Sequence, residues 1–300
     1  MYGYCPTWVL DWMHRKEQIL KEIAVHGADI VCLQEVETSQ YHNYFYPELR
    51  NLGYEGFFYA KTRQRSMNDE DRQRVDGCAT FYRTARFRLV EEHLISFSQL
   101  AIAAHEANGG NDLLNRVMPK DNIAVASILE IRGTKQALML ANSHMHWNPT
   151  FKDVKVVQTA MLLDELKRIT QNSRRFNIPT VICGDFNSLP DSGVVELLAN
   201  GRLDTSHPDL GNVNYGAYAA NKLRHSYHMS SVYNGEMDYT NYTFDFKGVI
   251  DYVWYTNNHI KVKALLGSVS KKYLENFMGC PNQHFPSDHF PLLCELVLMK

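Results

Sequence analysis

Two short β-branched apolar runs in this chain end on carboxylates, and they limit the architectures open to it. Ile30 to Leu33 lead into Gln34 and Glu35 in ADIVCLQEVE, and Val181 to Cys183 lead into Asp185 and Asn187 in NIPTVICGDFN. Each run follows a helical pattern. In HRKEQILKEIAVHG, residues 14 to 27, apolar Ile19, Leu20, Ile23 and Ala24 recur at helical spacing and Gly27 supplies a stop. The second helix is DVKVVQTAMLLDELKRI, residues 153 to 169, which reads as amphipathic. Helix, buried strand, then an acid at the strand tip occurs twice, although the two copies are not a detectable sequence repeat.

Further strands are expected at 77–83, 122–131 and 137–147, close enough in sequence to be hairpin or meander neighbours. After residue 201 a stretch rich in Asn, Ser, Tyr and His has no sustained period and reads as a long loop or irregular insertion. Strands return at 248–255, 259–267 and 289–298. The expectation is an α/β fold of two packed mixed β-sheets flanked by helices, a four-layer α/β sandwich. With 300 residues and 45% apolar content, one large core and a single domain over 1–300 are expected.

No window approaches eighteen consecutive apolar residues, and MYGYCPTWVLDW is no signal peptide. The reading is a soluble, cytoplasmic and also nuclear protein with no membrane partner. Cys5, Cys32, Cys78, Cys183, Cys280 and Cys294 are scattered without a CxxC pair, as expected of reduced thiols. Thirty-one Lys and Arg against 33 Asp and Glu leave no basic excess, so a polyanionic substrate must be gripped locally.

Polar groups cluster at the ends of the apolar runs: Gln34 with Glu35; Asn142 with His144 and His146; Asp185 with Asn187; Asp251; and Ser287, Asp288 and His289. Singly, each has a bland reading, because a strand-end Asp caps a turn and a lone His is often a satisfied core residue. Together, converging carboxylates are costly unless a cation neutralises them. Oxygen ligands favour Mg²⁺, with Mn²⁺ as substitute. The HMH of residues 144–146 could form a zinc pair, but the following NPTF lacks the further ligands of a metallo-hydrolase. A hard cation with acid, amide and histidine groups is suited to attack of water on a phosphodiester.

The strings LQEVE, SHMHW, GDFNSLPDSG, KGVIDYVWY and FPSDHF, in this order, resemble the endonuclease/exonuclease/phosphatase superfamily. With MYGYCP, NRVMPKDNIAVA and YTNYTFDFKGVIDY added, nearly the whole chain is similar to the deadenylase nucleases of the CCR-NOT complex. The resemblance implies that Glu35 holds the metal and that Asp185 orients and deprotonates water. It implies that Asn187 bonds the phosphate, that His289 contacts it while held by Asp251, that Asp288 lies near the metal, and that His144 faces the phosphate. It also implies a strand upstream of MYGYCP ending in a metal-proximal asparagine. The expectation is therefore a nuclease domain without that first strand, and these 300 residues show no leucine-rich period of the kind that docks a second deadenylase.

The function expected is a Mg²⁺-dependent 3′ to 5′ exoribonuclease that shortens poly(A) tails and releases 5′-AMP, with single-stranded poly(A) RNA as partner and DNA not expected. CCR-NOT subunits would be partners if a docking region exists. The alternatives are a relative acting on a small phosphorylated nucleotide and an inactive nuclease-like scaffold for RNA or partners. Substrate contacts are expected from Asn187, His146, Phe246 and Pro149, with a base held between the Phe246 ring and Pro149. The alternative for Phe246 is a core anchor.

Overall fold

A computed structural model describes residues 2–220 and 222–299. The first expected helix spans Trp12–His26, with the Asp11 side chain accepting from the N–H groups of Met13 and His14. Gly27 ends it in the left-handed conformation at φ 57°, its N–H bonded to the Ile23 carbonyl. Ile19, Leu20 and Ile23 pack on a cluster that includes Val36, Phe45, Leu49 and Phe81.

That cluster covers the outer face of a three-stranded antiparallel sheet. It contains β1 (Ile30–Glu37), β2 (Tyr54–Ala60) and β3 (Asp76–Arg83) in the order β1-β3-β2. The register runs Leu33 to Ala79 and then Val36 to Gly77, so β1 carries one extra residue at Gln34–Glu35. Such a bulge re-aims a side chain, and Glu35 sits in it at φ 58°.

The second sheet has six strands. β4 (Phe87–Ser96), β5 (Ile123–Ile131), β6 (Ala137–His144), β7 (Thr180–Asp185), β8 (Met229–Ser231) and β11 (Asp251–Thr256) lie in the order β4-β5-β6-β7-β11-β8. Only β6 and β7 are parallel, and the helix Lys152–Asn172 makes their crossover. Two short ribbons complete the strands: β9 (Asn241–Tyr242) with β10 (Lys247–Gly248), and β12 (Ile260–Leu265) with β13 (Cys294–Leu298). Between the sheets lie Cys78, Val125, Leu140, Val181, Cys183, Val253 and Ile260. Helices Phe97–Asn108, Lys152–Asn172 and Gly193–Asn200 cover the other face of the larger sheet, which completes four layers.

Several boundaries differ from the sequence expectation. The strand expected over 289–298 begins only at Cys294, since Pro291 has no N–H for a ladder. The run expected over 248–255 is a strand from Asp251, with Gly248 paired in the β9–β10 ribbon. The crossover helix is not amphipathic over its first three turns, where Asp153 to Leu163 are all buried. The expected irregular stretch, 203–236, closes over its outer side through Leu203, Leu210, Tyr215 and Tyr218, and contrary to expectation contains a strand, Met229–Ser231. All six cysteines are free thiols, and among the described residues no helix is long and apolar enough to cross a membrane.

Gly184 fixes the closeness of β6 and β7 at their tips. Its φ is 135°, and a Cβ there would lie 1.9 Å from the Ser143 carbonyl oxygen, a backbone atom that cannot move aside. Gly184→Ala is therefore expected to cost more than about 2 kcal/mol, through backbone strain and the parting of two strands. Urea unfolding of the two proteins measures it, and an unchanged midpoint would contradict this reading.

Candidate active site

Strand register assembles the centre of the site. His144 on β6 lies beside Asp185 on β7 in parallel register, and Asp185 lies opposite Asp251 on β11. Side chains in register share a face, so the three project together from adjoining strand ends. The Met145 N–H donates to the Asp185 carbonyl and the Phe186 N–H to that of Ile250, both at 2.9 Å, which continues the register past the strand ends.

His289 reaches this face from an irregular segment. Its Nδ1 lies 2.8 Å from Asp251 Oδ2. Buried Thr240 organises the approach: its Oγ1 accepts from the N–H groups of Ile250 and Asp251, and its carbonyl accepts from the Phe290 N–H. Donor atoms of Asp185, Asp251 and His289 all lie within 4.8 Å of one another.

Asn187 has the left-handed φ of 49°. Its N–H donates to Asp185 Oδ1 at 2.7 Å, and its side-chain amide donates to the Met145 carbonyl. Lys155 Nζ, buried on the crossover helix, donates to the Asn187 carbonyl at 2.6 Å. Turn, strand tip and helix are thus locked together. Asp288 accepts from the Tyr2 hydroxyl at 2.8 Å, and its carbonyl accepts from the Tyr242 N–H.

Electrostatics divide the two histidines. Burial opposes a charge on His289, but Asp251, with Asp185 and Asp288, more than offsets it and raises the group to about 10. His144 is pushed down to about 3 by burial and then by the Lys61 charge, so its 3.7 Å approach to Asp185 is no ion pair at neutral pH. His146 falls to about 4 by burial, with Lys120 adding to the shift. The Asp185 carboxyl is raised well above the ordinary range by burial and then by Asp251, with His289 and the Asn187 N–H opposing. A carboxylate with a raised proton affinity is suited to take a proton from water.

Glu35, on its bulge, opens to solvent but has protein around it. That protein raises its carboxyl and Lys61 counters, while Asp288 and Asp76 push it up further. Glu35 and His144 line a cleft of about 640 Å³ that continues past Asp76, Lys120, His146 and Trp147.

Other expected groups settle elsewhere. Asn142 is fully buried and structural: it accepts from the Gln34 side chain at 2.7 Å and donates to the carbonyls of Leu33 and Ala79, tying the two sheets together. Phe246 is 41% exposed, so it is no core anchor. Its ring lies over Gly248, where an added Cβ would meet it at 2.8 Å. Pro149 is exposed in the turn before the crossover helix. Among the described residues, His144 and His146 belong to no group of three metal-binding side chains. Sequence reasoning missed Tyr2, Lys61, Asp76, Lys155 and Thr240. A lysine inside the apolar DVKVVQ run was the one available signal, and it marked Lys155.

The sequence pattern described as the Endonuclease/Exonuclease/phosphatase family matches residues 2–289. The chain belongs to that family. It is 44% identical over 317 residues to the CCR4-Not complex 3′-5′-exoribonuclease subunit Ccr4 of Mycosarcoma maydis, covering 98% of this chain and 47% of that protein. It is also 44% identical over 335 residues to CCR4-NOT transcription complex subunit 6-like-B of Xenopus laevis, covering 99% and 60%. The chain thus spans about half the length of these curated relatives. Among solved structures it is similar to ANGEL2, a 2′,3′-cyclic phosphatase, in complex with adenosine-2′,3′-vanadate, with TM-score 0.81, 26% identity and coverage of 99% and 89%. A second is the human Nocturnin catalytic domain with bound sulfate anion, with TM-score 0.69, 26% identity and coverage of 96% and 88%.

Endonuclease/exonuclease/phosphatase nucleases depend on a divalent metal, and the donor set here accommodates one. The charge of Asp288 adds to the upward push on Glu35, and that of Asp251 to the push on Asp185, so a cation would relieve both, and all four offer hard oxygen donors.

Buried neutral His144 makes stability depend on pH. Its folded value of about 3 lies below the unfolded 6.5. Below pH 6.5 the unfolded chain therefore takes up a proton that the folded chain refuses. Stability falls with pH over that window at about 1.4 kcal/mol per pH unit. Between pH 7 and 5 the parent should lose about 2 kcal/mol more than His144→Gln. Urea unfolding in EDTA at both pH values checks this, and equal losses would mean that His144 is charged in the folded chain.

Proposed function

We propose that the chain is a Mg²⁺-dependent 3′ to 5′ exoribonuclease that removes adenylates from mRNA poly(A) tails and releases 5′-AMP. The observation that carries this reading is 44% identity across 98% of the chain to a protein named as a 3′-5′-exoribonuclease. The reading takes residues 1–300 as one nuclease domain that acts with CCR-NOT subunits in the cytoplasm and nucleus.

Glu35, with Asp288 beside it, would hold the metal, which when bound neutralises phosphate oxygens and lowers the charge barrier to attack. Asp185 takes a proton from the attacking water, whose oxygen forms a bond to phosphorus as the bond to the upstream 3′ oxygen breaks. That 3′ oxygen keeps the electron pair and takes a proton from solvent to leave as the 3′-hydroxyl of the shortened strand. Asp251 holds His289 protonated and fixes its orientation, so that its free Nε2–H faces the phosphate. The second N–H of the Asn187 amide donates to a phosphate oxygen, and neutral His144 bounds the same side. Phe246 and Pro149 hold the departing adenine between them.

The direct test is a 5′-labelled A-tailed RNA incubated with Mg²⁺, Mn²⁺ or EDTA. A ladder of shortening products that stalls at the first non-A nucleotides is expected with the ions and none with EDTA. Internal cuts, or consumption of phosphorylated mono- and dinucleotides instead of RNA, would overturn the reading. Asp185→Ala and Glu35→Ala should each lower the rate by roughly 10² to 10⁴ or more while remaining folded. A variant that keeps a tenth of the parent rate removes the role given to that residue.

Phe246→Ala should slow poly(A) cleavage about ten- to a hundredfold, the stacking contribution of one base. Because the ring is exposed, the melting temperature should hold. Unchanged kcat/KM on oligo(A) would exclude the ring from base contact.

A further inference from the structure

The cleft that starts at Glu35 and His144 extends beyond the groups assigned to the phosphate and to the departing base. Pro119, Lys120, His146 and Trp147 form one end of its lining, grouped by the contacts of Lys120 and His146 with the Phe151 ring. Trp147 is 68% exposed, an unusual position for the largest apolar side chain. His146 is 8% exposed, neutral at pH 7, and its Nε2 has no hydrogen-bond partner among the described residues. Buried polar atoms are ordinarily paired, so the cleft holds an unfilled valence.

The cations of this cleft differ in what they are free to do. Lys61 is 2.7 Å from Asp76, Arg63 bridges Asp76 and Asp121, and Arg74 lies 3.5 Å from Glu70. Among the described residues Lys120 alone of the four has no carboxylate within 4.0 Å. It is not loose, because its Nζ sits 3.9 Å from the centre of the Phe151 ring. His146 meets the same ring edge-on at 5.2 Å. Phe151 therefore holds an unpaired ammonium and an unpaired imidazole on one wall, next to a bare indole.

We propose that this end of the cleft is a second nucleotide subsite, which takes the nucleotide upstream of the scissile phosphate with its base stacked on Trp147 and its phosphate on Lys120. The proposal rests on the reading that the substrate is single-stranded RNA. In that reading the departing base sits between Phe246 and Pro149, neither of which lines the cleft, so the cleft beside His144 is left open to the next nucleotide of the strand. A groove that pairs a stacking aromatic with a cation is how single strands are held without duplex. His146 supplies one hydrogen bond, to the sugar or base of the same nucleotide.

Fluorescence anisotropy with labelled octa-adenylate, and competition by 5′-AMP, measure the two subsites separately. Both are run in the Asp185→Ala protein with Mg²⁺ so that substrate survives. Trp147→Ala in that background should weaken octa-adenylate about 5- to 150-fold, leave 5′-AMP within twofold, and leave the melting temperature unchanged. Trp147→Phe should recover most of the loss. Lys120→Met keeps the packing on Phe151 and should lower the slope of log Kd against log salt by about 0.7. Octa-adenylate binding unaffected by Trp147→Ala, or 5′-AMP weakened as much as octa-adenylate, would overturn the subsite while leaving the RNA reading standing. No octa-adenylate binding by the Asp185→Ala protein itself would overturn both.

Discussion

The contact between Asp251 and His289 is the one on which the site depends. Asp251 belongs to a strand of the six-stranded sheet, whereas His289 comes from irregular chain before β13. The 2.8 Å hydrogen bond brings them together, and Thr240 supports both sides by bonding the Asp251 N–H and the Phe290 N–H. Without it, the imidazole would be an uncharged ring at the edge of a loop. With it, His289 carries a proton across the whole neutral range, the property a phosphate ligand requires.

The site then holds its charges by opposition. Asp185 has no cation of its own as close as His289 is to Asp251, so burial and the Asp251 charge both raise its proton affinity. Two carboxylates on neighbouring strands thus sit in different electrostatic settings, one bonded to an imidazolium and the other raised by burial and by its neighbour's charge. Lys155 is placed to hold the Asn187 turn rather than to neutralise Asp185 directly, since its short bond goes to the Asn187 carbonyl. The backbone of the turn, in turn, gives its N–H to Asp185.

The strand-borne part of this site was legible because a buried strand must end somewhere, and a polar residue at its end is visible against the apolar run. Glu35, His144, Asp185 and Asp251 all carry that signature. The two-sheet sandwich followed from the same runs. The consecutive Glu91, Glu92 and His93, next to a bulge between Leu89 and Glu91, broke the alternation and concealed β4, whose FRLVEEHLIS pairs with β5 along nearly its whole length, and the run of three aromatics in YEGFFYA hid β2 in the same way. Tyr2, Lys61 and Asp76 act across distances in sequence that no local pattern spans. Asn142 looked like a site residue because it stands two before His144 and shares its face, yet it lies one step further into the strand, where that face meets the opposite sheet and its amide is taken up by Gln34 and the carbonyls of Leu33 and Ala79.

The balance of charge in the cleft carries one more consequence. Its cations are Lys61, Arg63, Arg74 and Lys120, and its carboxylates are Glu35, Glu37, Asp76 and Asp121, so the described lining is neutral in formal charge. The whole chain is also near neutral, at −2. A polyanion gains little here from long-range attraction, and counterion release is limited to the few cations without a carboxylate partner. A divalent ion beside Glu35 would change the sign of the inner end of the cleft, and an anionic strand in the cleft would in turn raise affinity for the ion. Metal and substrate binding are then coupled by necessity, each favouring the other by the same free energy. If the substrate is the proposed single-stranded RNA, selection among strands would fall to surfaces that do not depend on charge, the exposed rings of Trp147 and Phe246.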